Sequence, residues 1–145
     1  MDNEHIRPIV ICLFRRGDRL LVAQDYDSIK QDYFCRPLGG GIKFGEQSRV
    51  AMLREIAEEL AAEVDNLRLV GVLENIFTYE GRAGHEIVFV YDAEFVNKSL
   101  YEQAEICCFE PEANVKFVAR WASPVELERQ GIRLVPETLS LLLAK

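Results

Sequence analysis

The sequence predicts a layered α/β or α+β domain, on three observations. Long β-branched and aromatic runs ("PIVICLF", "LRLVGVLENIFTY", "HEIVFVYDAEFV") alternate with connections rich in glycine and charge. One segment, Gln47 to about Ala62, repeats apolar residues at three- and four-residue spacing instead. A second amphipathic stretch, "PETLSLLLAK", closes the chain. Helices interleaved with long strands bury their apolar faces on each other as layers.

The 145 residues fit a single domain spanning 1–145, large enough to close a hydrophobic core, with residues 1–6 expected to be flexible. The net charge of −7 opposes binding to DNA, RNA or an anionic lipid surface. A polyanionic small molecule would need a cation to bind. Cys12, Cys35, Cys107 and Cys108 lack metal or redox spacing and read as free thiols, the adjacent pair as buried or idle. The start, "MDNEHIRP", has no basic head before an apolar core, and no apolar run approaches the roughly 18 residues of a membrane span. A cytoplasmic location is the expectation.

Taken in order, "PIVICLF" and "RLLVAQ" flank "RRGD", a hairpin-closing turn, and are expected to pair. "DYFCRPLGG" reads as a short extended piece, because Pro37 pushes Arg36 away from helical geometry. In the helical segment Val50, Leu53, Ile56, Ala57, Leu60 and Val64 form the expected core face, and Glu55, Glu58 and Glu59 a shared solvent-facing patch. Two long strands joined by "EGRAG" follow, the second apolar enough for burial on both faces. The acidic connection from Asn97 to Asn114 is long for a compact domain and is a candidate lid. "VKFVARWAS" is a further strand, with Trp121 expected to anchor the last helix. Ser123, Pro124 and Glu126 open a short helix, and Pro136 opens the last.

The chemistry concentrates in "LGGGIKFGEQ" and "REIAEEL". A dinucleotide fingerprint fails, because Phe44 stands where its third glycine belongs. A P-loop fails too, since Glu46 and Gln47 occupy the positions of its lysine and hydroxyl. On the helix, Glu55 is followed four residues later by Glu59, and Glu59 by Glu63, like-charge pairs costing roughly 0.2–0.5 kcal/mol each. No lysine lies between Gln47 and Asn66 to offset them. Such a cluster suits a hard divalent cation, Mg2+ or Mn2+, which takes oxygen ligands and bridges to phosphates. The glycines complement it, since a backbone without Cβ atoms lets a bound group approach.

The stretch from Gly40 to Ala62, "GGIKFGEQSRVAMLREIAEELAA", resembles the Nudix box, G-x5-E-x7-R-E-U-x-E-E-x-G-U, with Gly40, Glu46, Arg54, Glu55, Ile56, Glu58 and Glu59 in register. Ala61 and Ala62 depart from the box glycine and the larger aliphatic. At the glycine position a left-handed turn normally ends the helix, a conformation costing alanine about 1–2 kcal/mol. Either Ala61 is strained or the helix runs on toward Asn66.

The resemblance implies a Nudix-type αβα sandwich with a mixed central sheet between helices. It also implies a Mg2+-dependent pyrophosphohydrolase acting on a small nucleoside diphosphate derivative: an ADP-ribose-like compound, a nucleotide sugar or a dinucleoside polyphosphate. A nucleoside triphosphate pyrophosphatase and a non-catalytic nucleotide-binding module are the alternatives. In this reading Gly39, Glu55, Glu58 and Glu59 hold metal. Glu46, Arg54, Glu55 and Glu58 form the catalytic group, Glu46 and Arg54 in support, with the Arg54 guanidinium a bidentate clamp that orients a neighbouring glutamate. Arg36, Gly40 and Gly41 contact substrate. A general base comes from the box or from Glu102, Glu105, Glu110 or Glu112, unranked. Phe34, Tyr79 and His85 are candidates to stack on or bond a base. A homodimer is compatible with the family.

Overall fold

The computed structural model describes residues 4–143. The expected flexible end falls partly on residues 1–3, outside the described residues, while residues 4–6 are exposed and irregular. Among the described residues nine strands form one mixed sheet: β1 Arg7–Leu13, β2 Arg15–Arg16, β3 Arg19–Asp27, β4 Asp32–Gly41, β5 Val64–Tyr79, β6 Arg82–Phe95, β7 Glu105–Glu110, β8 Val115–Ala122 and β9 Arg133–Leu134. The order is β5-β6-β1-β4-β3-β8-β7, with β2 beside β3 and β9 beside β4. Helix α1 is Ser48–Leu60, α2 Pro124–Arg129 and α3 Ser140–Leu143.

Strand β1 explains the layering. Val10 and Cys12 point into one buried cluster with Met52 and Ile56 of α1. Ile9, Ile11 and Leu13 point into a second with Leu127, Leu139 and Leu142. A strand buried on both faces reads as a continuous apolar run and sits at a sheet's centre. The expected layered sandwich is therefore present. β6 is double-faced in the same way over its second half, with Val88 and Val90 in one cluster and Tyr91, Ala93 and Phe95 in the other.

Several local expectations are corrected. "RRGD" does close a hairpin, but only between Arg15–Arg16 and Arg19–Leu20. β1 itself pairs with β4 and, in parallel, with β6. Its two buried faces leave room for central neighbours, so the sequence-adjacent partner takes only its continuation. The lid expected over Asn97–Asn114 is a 3-10 turn, Lys98–Glu102, followed by strand β7, which pairs with β8. Ile106 and Cys108 alternate inward there, a period hidden by the flanking acids. Trp121 faces the α1 layer, stacking on Tyr101 at 5.6 Å beneath Arg16 at 5.2 Å. It does not anchor the final amphipathic segment, whose Leu139 and Leu142 lie on the other face.

The extended piece expected at "DYFCRPLGG" is β4, which runs on to Gly41: Gly39, Gly40 and Gly41 pair with Ile11, Val10 and Ile9. Ser123 caps α2 as expected, accepting from the Glu126 amide at 3.0 Å. The final amphipathic segment forms a 3-10 turn, Glu137–Leu139, and the short α3; Ala144 and Lys145 lie outside the described residues. Cys108 is buried and Cys107 exposed, both free. Among the described residues no helix is long and apolar enough to cross a membrane.

Candidate active site

Helix α1 builds the site, with a buried face rotated from the one its sequence suggests. Val50 and Leu53 are 51% and 42% exposed, whereas Glu55 and Glu59 are buried at 5% and 7%. Of the expected core face Ile56 is buried, and Ala51 and Met52 join it in the apolar contact. Burying carboxylates costs free energy unless partners compensate, so the rotation marks a site and not a packing face.

Arg54 organises the near side. Its Nε and Nη2 donate to the two Glu46 carboxylate oxygens at 2.8 and 2.9 Å, a bidentate fork. Nη1 donates to Glu55 at 2.9 Å and to Glu58 at 3.3 Å, and Nη2 also reaches the Gly41 carbonyl at 2.9 Å. Glu46 is fixed further by the Lys43 amide at 3.0 Å. The Arg54 bonds, then that amide, hold the Glu46 carboxyl down at about 2, and the Arg54 guanidinium is driven up by Glu46. The clamp expected of Arg54 is present, and the Gly41 carbonyl belongs to it.

The far side carries negative charge in excess. Glu55, Glu59 and Glu110 bring carboxylate oxygens within 4.8 Å of one another. Burial, then the Glu55 and Glu110 charges, push the Glu59 carboxyl up to about 8. Burial raises Glu55 as well, against the pull of Arg54. Glu55 Oε2 is buried with no hydrogen-bond partner. A Cβ at Gly40 would overlap the Glu55 carboxylate, so the missing side chain is what admits it. Three convergent carboxylates, one of them with an orphaned oxygen, fit a divalent cation.

Of the residues expected to hold metal, Glu55 and Glu59 meet in this trio, while Glu58 lies beside it in the grip of Arg54. Gly39 stands in the β1–β4 ladder opposite Ile11, where the Val10 carbonyl occupies the space of a side chain. Glu110 comes from the end of β7, while Glu102, Glu105 and Glu112 are exposed and outside the trio. A signal for Glu110 exists in "EICCFE": it shares the inward phase of Ile106 and Cys108.

Arg36 lies on β4 two alternations from Gly40, and its charge opposes the upward shift of Glu59. Phe34, two residues further, meets Tyr79 edge-on at 5.6 Å and lies under the Arg133 guanidinium at 5.7 Å. His85 sits on β6 opposite Ile76, apart from that pair. Ala61 ends α1 in the left-handed region at φ 49°, its amide bonded to the Ala57 carbonyl. The strained alternative therefore holds.

Comparison with known proteins agrees with this geometry. The pattern defining the NUDIX domain matches residues 4–140. The chain is 28% identical over 100 residues to the NAD-capped RNA hydrolase NudC of Pseudomonas aeruginosa (strain LESB58), a match covering 69% of this chain and 33% of that protein. To the protein of the same name in Pseudomonas putida (strain GB-1) it is 36% identical over 66 residues, 46% of this chain and 23% of that one. The chain thus spans a third or less of these curated relatives. Two solved structures share the fold: a NUDIX hydrolase from Nitrosomonas europaea (TM-score 0.62, 17% identity, covering 97% of this chain and 85% of that one) and a MutT NUDIX hydrolase from Burkholderia pseudomallei (TM-score 0.60, 21%, 86% and 88%). With the domain match running through nearly all of the chain and the box residues gathered around buried carboxylates, the protein belongs to the Nudix family.

Proposed function

We propose that the protein is a pyrophosphohydrolase dependent on Mg2+ or Mn2+ that cleaves the diphosphate linkage of a small nucleoside diphosphate derivative. The observation that carries this is the Glu55, Glu59 and Glu110 trio, whose carboxylate oxygens lie within 4.8 Å of one another. Glu55, Glu59 and Glu110 would hold the cation, with Glu58 and the Gly39 carbonyl as further donors. A bound divalent ion would neutralise phosphate charge and acidify a water molecule.

The chain's own groups supply position. Arg54 locks Glu46 and turns one Glu55 oxygen toward itself, leaving Oε2 directed elsewhere. Gly40 keeps the space before Glu55 clear. Of the acids in the connection, Glu110, on a strand and not a loop, is within reach of the box acids and serves as a cation ligand in this reading. Arg36 offers a cation to substrate phosphate on the strand that also carries the glycines.

The curated relatives are named for hydrolysing NAD-capped RNA. A dinucleotide joined by a diphosphate falls within the class proposed here, whereas an RNA body would meet a net charge of −7. The test is a panel of ADP-ribose, NAD, a nucleotide sugar, dinucleoside polyphosphates and nucleoside triphosphates, with Mg2+ or with EDTA. Nucleoside monophosphate release that requires the cation is expected. Equal turnover in EDTA, or full activity in Glu59→Gln, would overturn the proposal.

A further inference from the structure

We propose that the cavity behind the last turns of α1 is a second binding site, for a small alkylammonium-type cation: an apolar body carrying one positive group. It takes no part in the reaction proposed above and does not depend on that reading.

The cavity, of about 340 Å³, lies where α1 gives way to β5. Leu53, Ile56 and Ala57 wall it on the helix, Ala62 and Val64 on the chain leaving the helix, and Val96 just past the end of β6. At 3.6 residues per turn, the three helical residues centre on the side of α1 away from Glu55, Glu58 and Glu59. The carboxylate trio and the cavity therefore use different sides of one helix.

The space has a local origin. Ala61 stops α1 in the left-handed region with its amide bonded to the Ala57 carbonyl at 3.0 Å, and the Val96 amide meets the Glu63 carbonyl at 3.1 Å. The chain thus turns straight from helix into β5, with only the methyls of Ala57 and Ala62 at the corner. Ala62 stands where the box has a larger aliphatic residue, and the room such a side chain would take is left open. Two of the walls, Leu53 and Val96, remain 42% and 46% exposed as a result.

The lining sets the ligand. Apolar walls favour an apolar body, and the volume falls in the small-molecule range of roughly 300–1,000 Å³. A protein partner would instead need about 800 Å² from each surface. The rim carries Glu63 and Asp65, both exposed, and neither has an ion-pair partner among the described residues. Neighbouring bases are engaged elsewhere: Arg49 donates to the Leu67 carbonyl at 2.9 Å and Arg68 to Asp92 at 2.7 Å. Two unneutralised carboxylates beside an apolar cavity, in a chain of net charge −7, attract a cationic head and repel an anion. A nucleotide is excluded by the same charges.

The test is titration of methyl-labelled protein with hexylammonium, hexanoate and hexanol at pH 7 in EDTA, followed by NMR. Hexylammonium is expected to shift the methyls of Leu53, Ile56, Val64 and Val96 saturably, while those of Leu139 and Leu142 in the other cluster stay in place. Hexanoate is expected to bind roughly tenfold more weakly, and Ala62→Leu, which fills the corner, to abolish the shifts. Glu63→Gln with Asp65→Asn, at exposed positions that leave folding intact, gives a second reading: hexylammonium should weaken about threefold, as exposed charges imply, with hexanol unchanged. The proposal is overturned by any of four results: no saturable shift in wild type, hexanoate binding as tightly as hexylammonium, undiminished binding in folded Ala62→Leu, or no weakening in the double variant.

Discussion

The guanidinium of Arg54 grips Glu46 through two hydrogen bonds, at 2.8 and 2.9 Å, while its remaining nitrogen touches Glu55 at 2.9 Å. One side chain thus ties the turn before α1 to a buried acid in the helix. Arg54→Lys keeps the charge but loses the fork, so Glu55 should lose its fixed aim. Activity is expected to fall roughly 10–100-fold, the usual cost of removing a group that orients a metal ligand. Steady-state kinetics with Mg2+ checks this.

Glu46 makes the same pair sensitive to acid. Its folded pKa of about 2 lies below the ordinary 4.5, so its contribution to stability is present above the ordinary value and is lost as pH falls toward 2. Glu46→Gln should therefore be less stable than wild type at pH 7, with the gap narrowing between pH 4.5 and 2. Urea unfolding at several pH values measures it, and a gap independent of pH would contradict the assignment.

Gly40→Ala places a methyl group against the Glu55 carboxylate. The obstacle is the end of a side chain, so the fold should survive with a melting temperature close to wild type. The carboxylate must move, and Mg2+ affinity by calorimetry is expected to drop at least tenfold.

The carboxylate trio is unfavourable without a cation, because burial and mutual repulsion act on Glu59 together. Glu59→Gln should stabilise EDTA-treated protein by about 1 kcal/mol, a gain of the size found when a functional strain is relieved. It should also abolish the stabilisation that Mg2+ gives wild type. Thermal melts with and without the metal test both parts.

Ala61 holds φ at 49°, which glycine adopts without a steric penalty. Ala61→Gly is expected to stabilise the protein by about 1 kcal/mol and leave kcat/KM unchanged. Denaturant midpoints at constant m-value are the measurement.

What the sequence by itself determined lies within short stretches of chain. The spacing of Glu46, Arg54, Glu55 and Glu59 identified the box and the clamp, and Ser123 identified a helix start, because turns and helices place residues a few positions apart in fixed relation. What only the tertiary structure decided depends on distant partners. Val50 and Leu53 look like core in α1 and are outside, while Glu55 and Glu59 look like surface and are inside. Helical periodicity marks stripes without saying which one meets the sheet. The same holds for Glu110: its phase in β7 is written in the chain, but its arrival beside Glu55 needs β7 to pair with β8 and α1 to cross that edge. Pairing between strands far apart in sequence is set by the whole buried surface, which no single segment encodes.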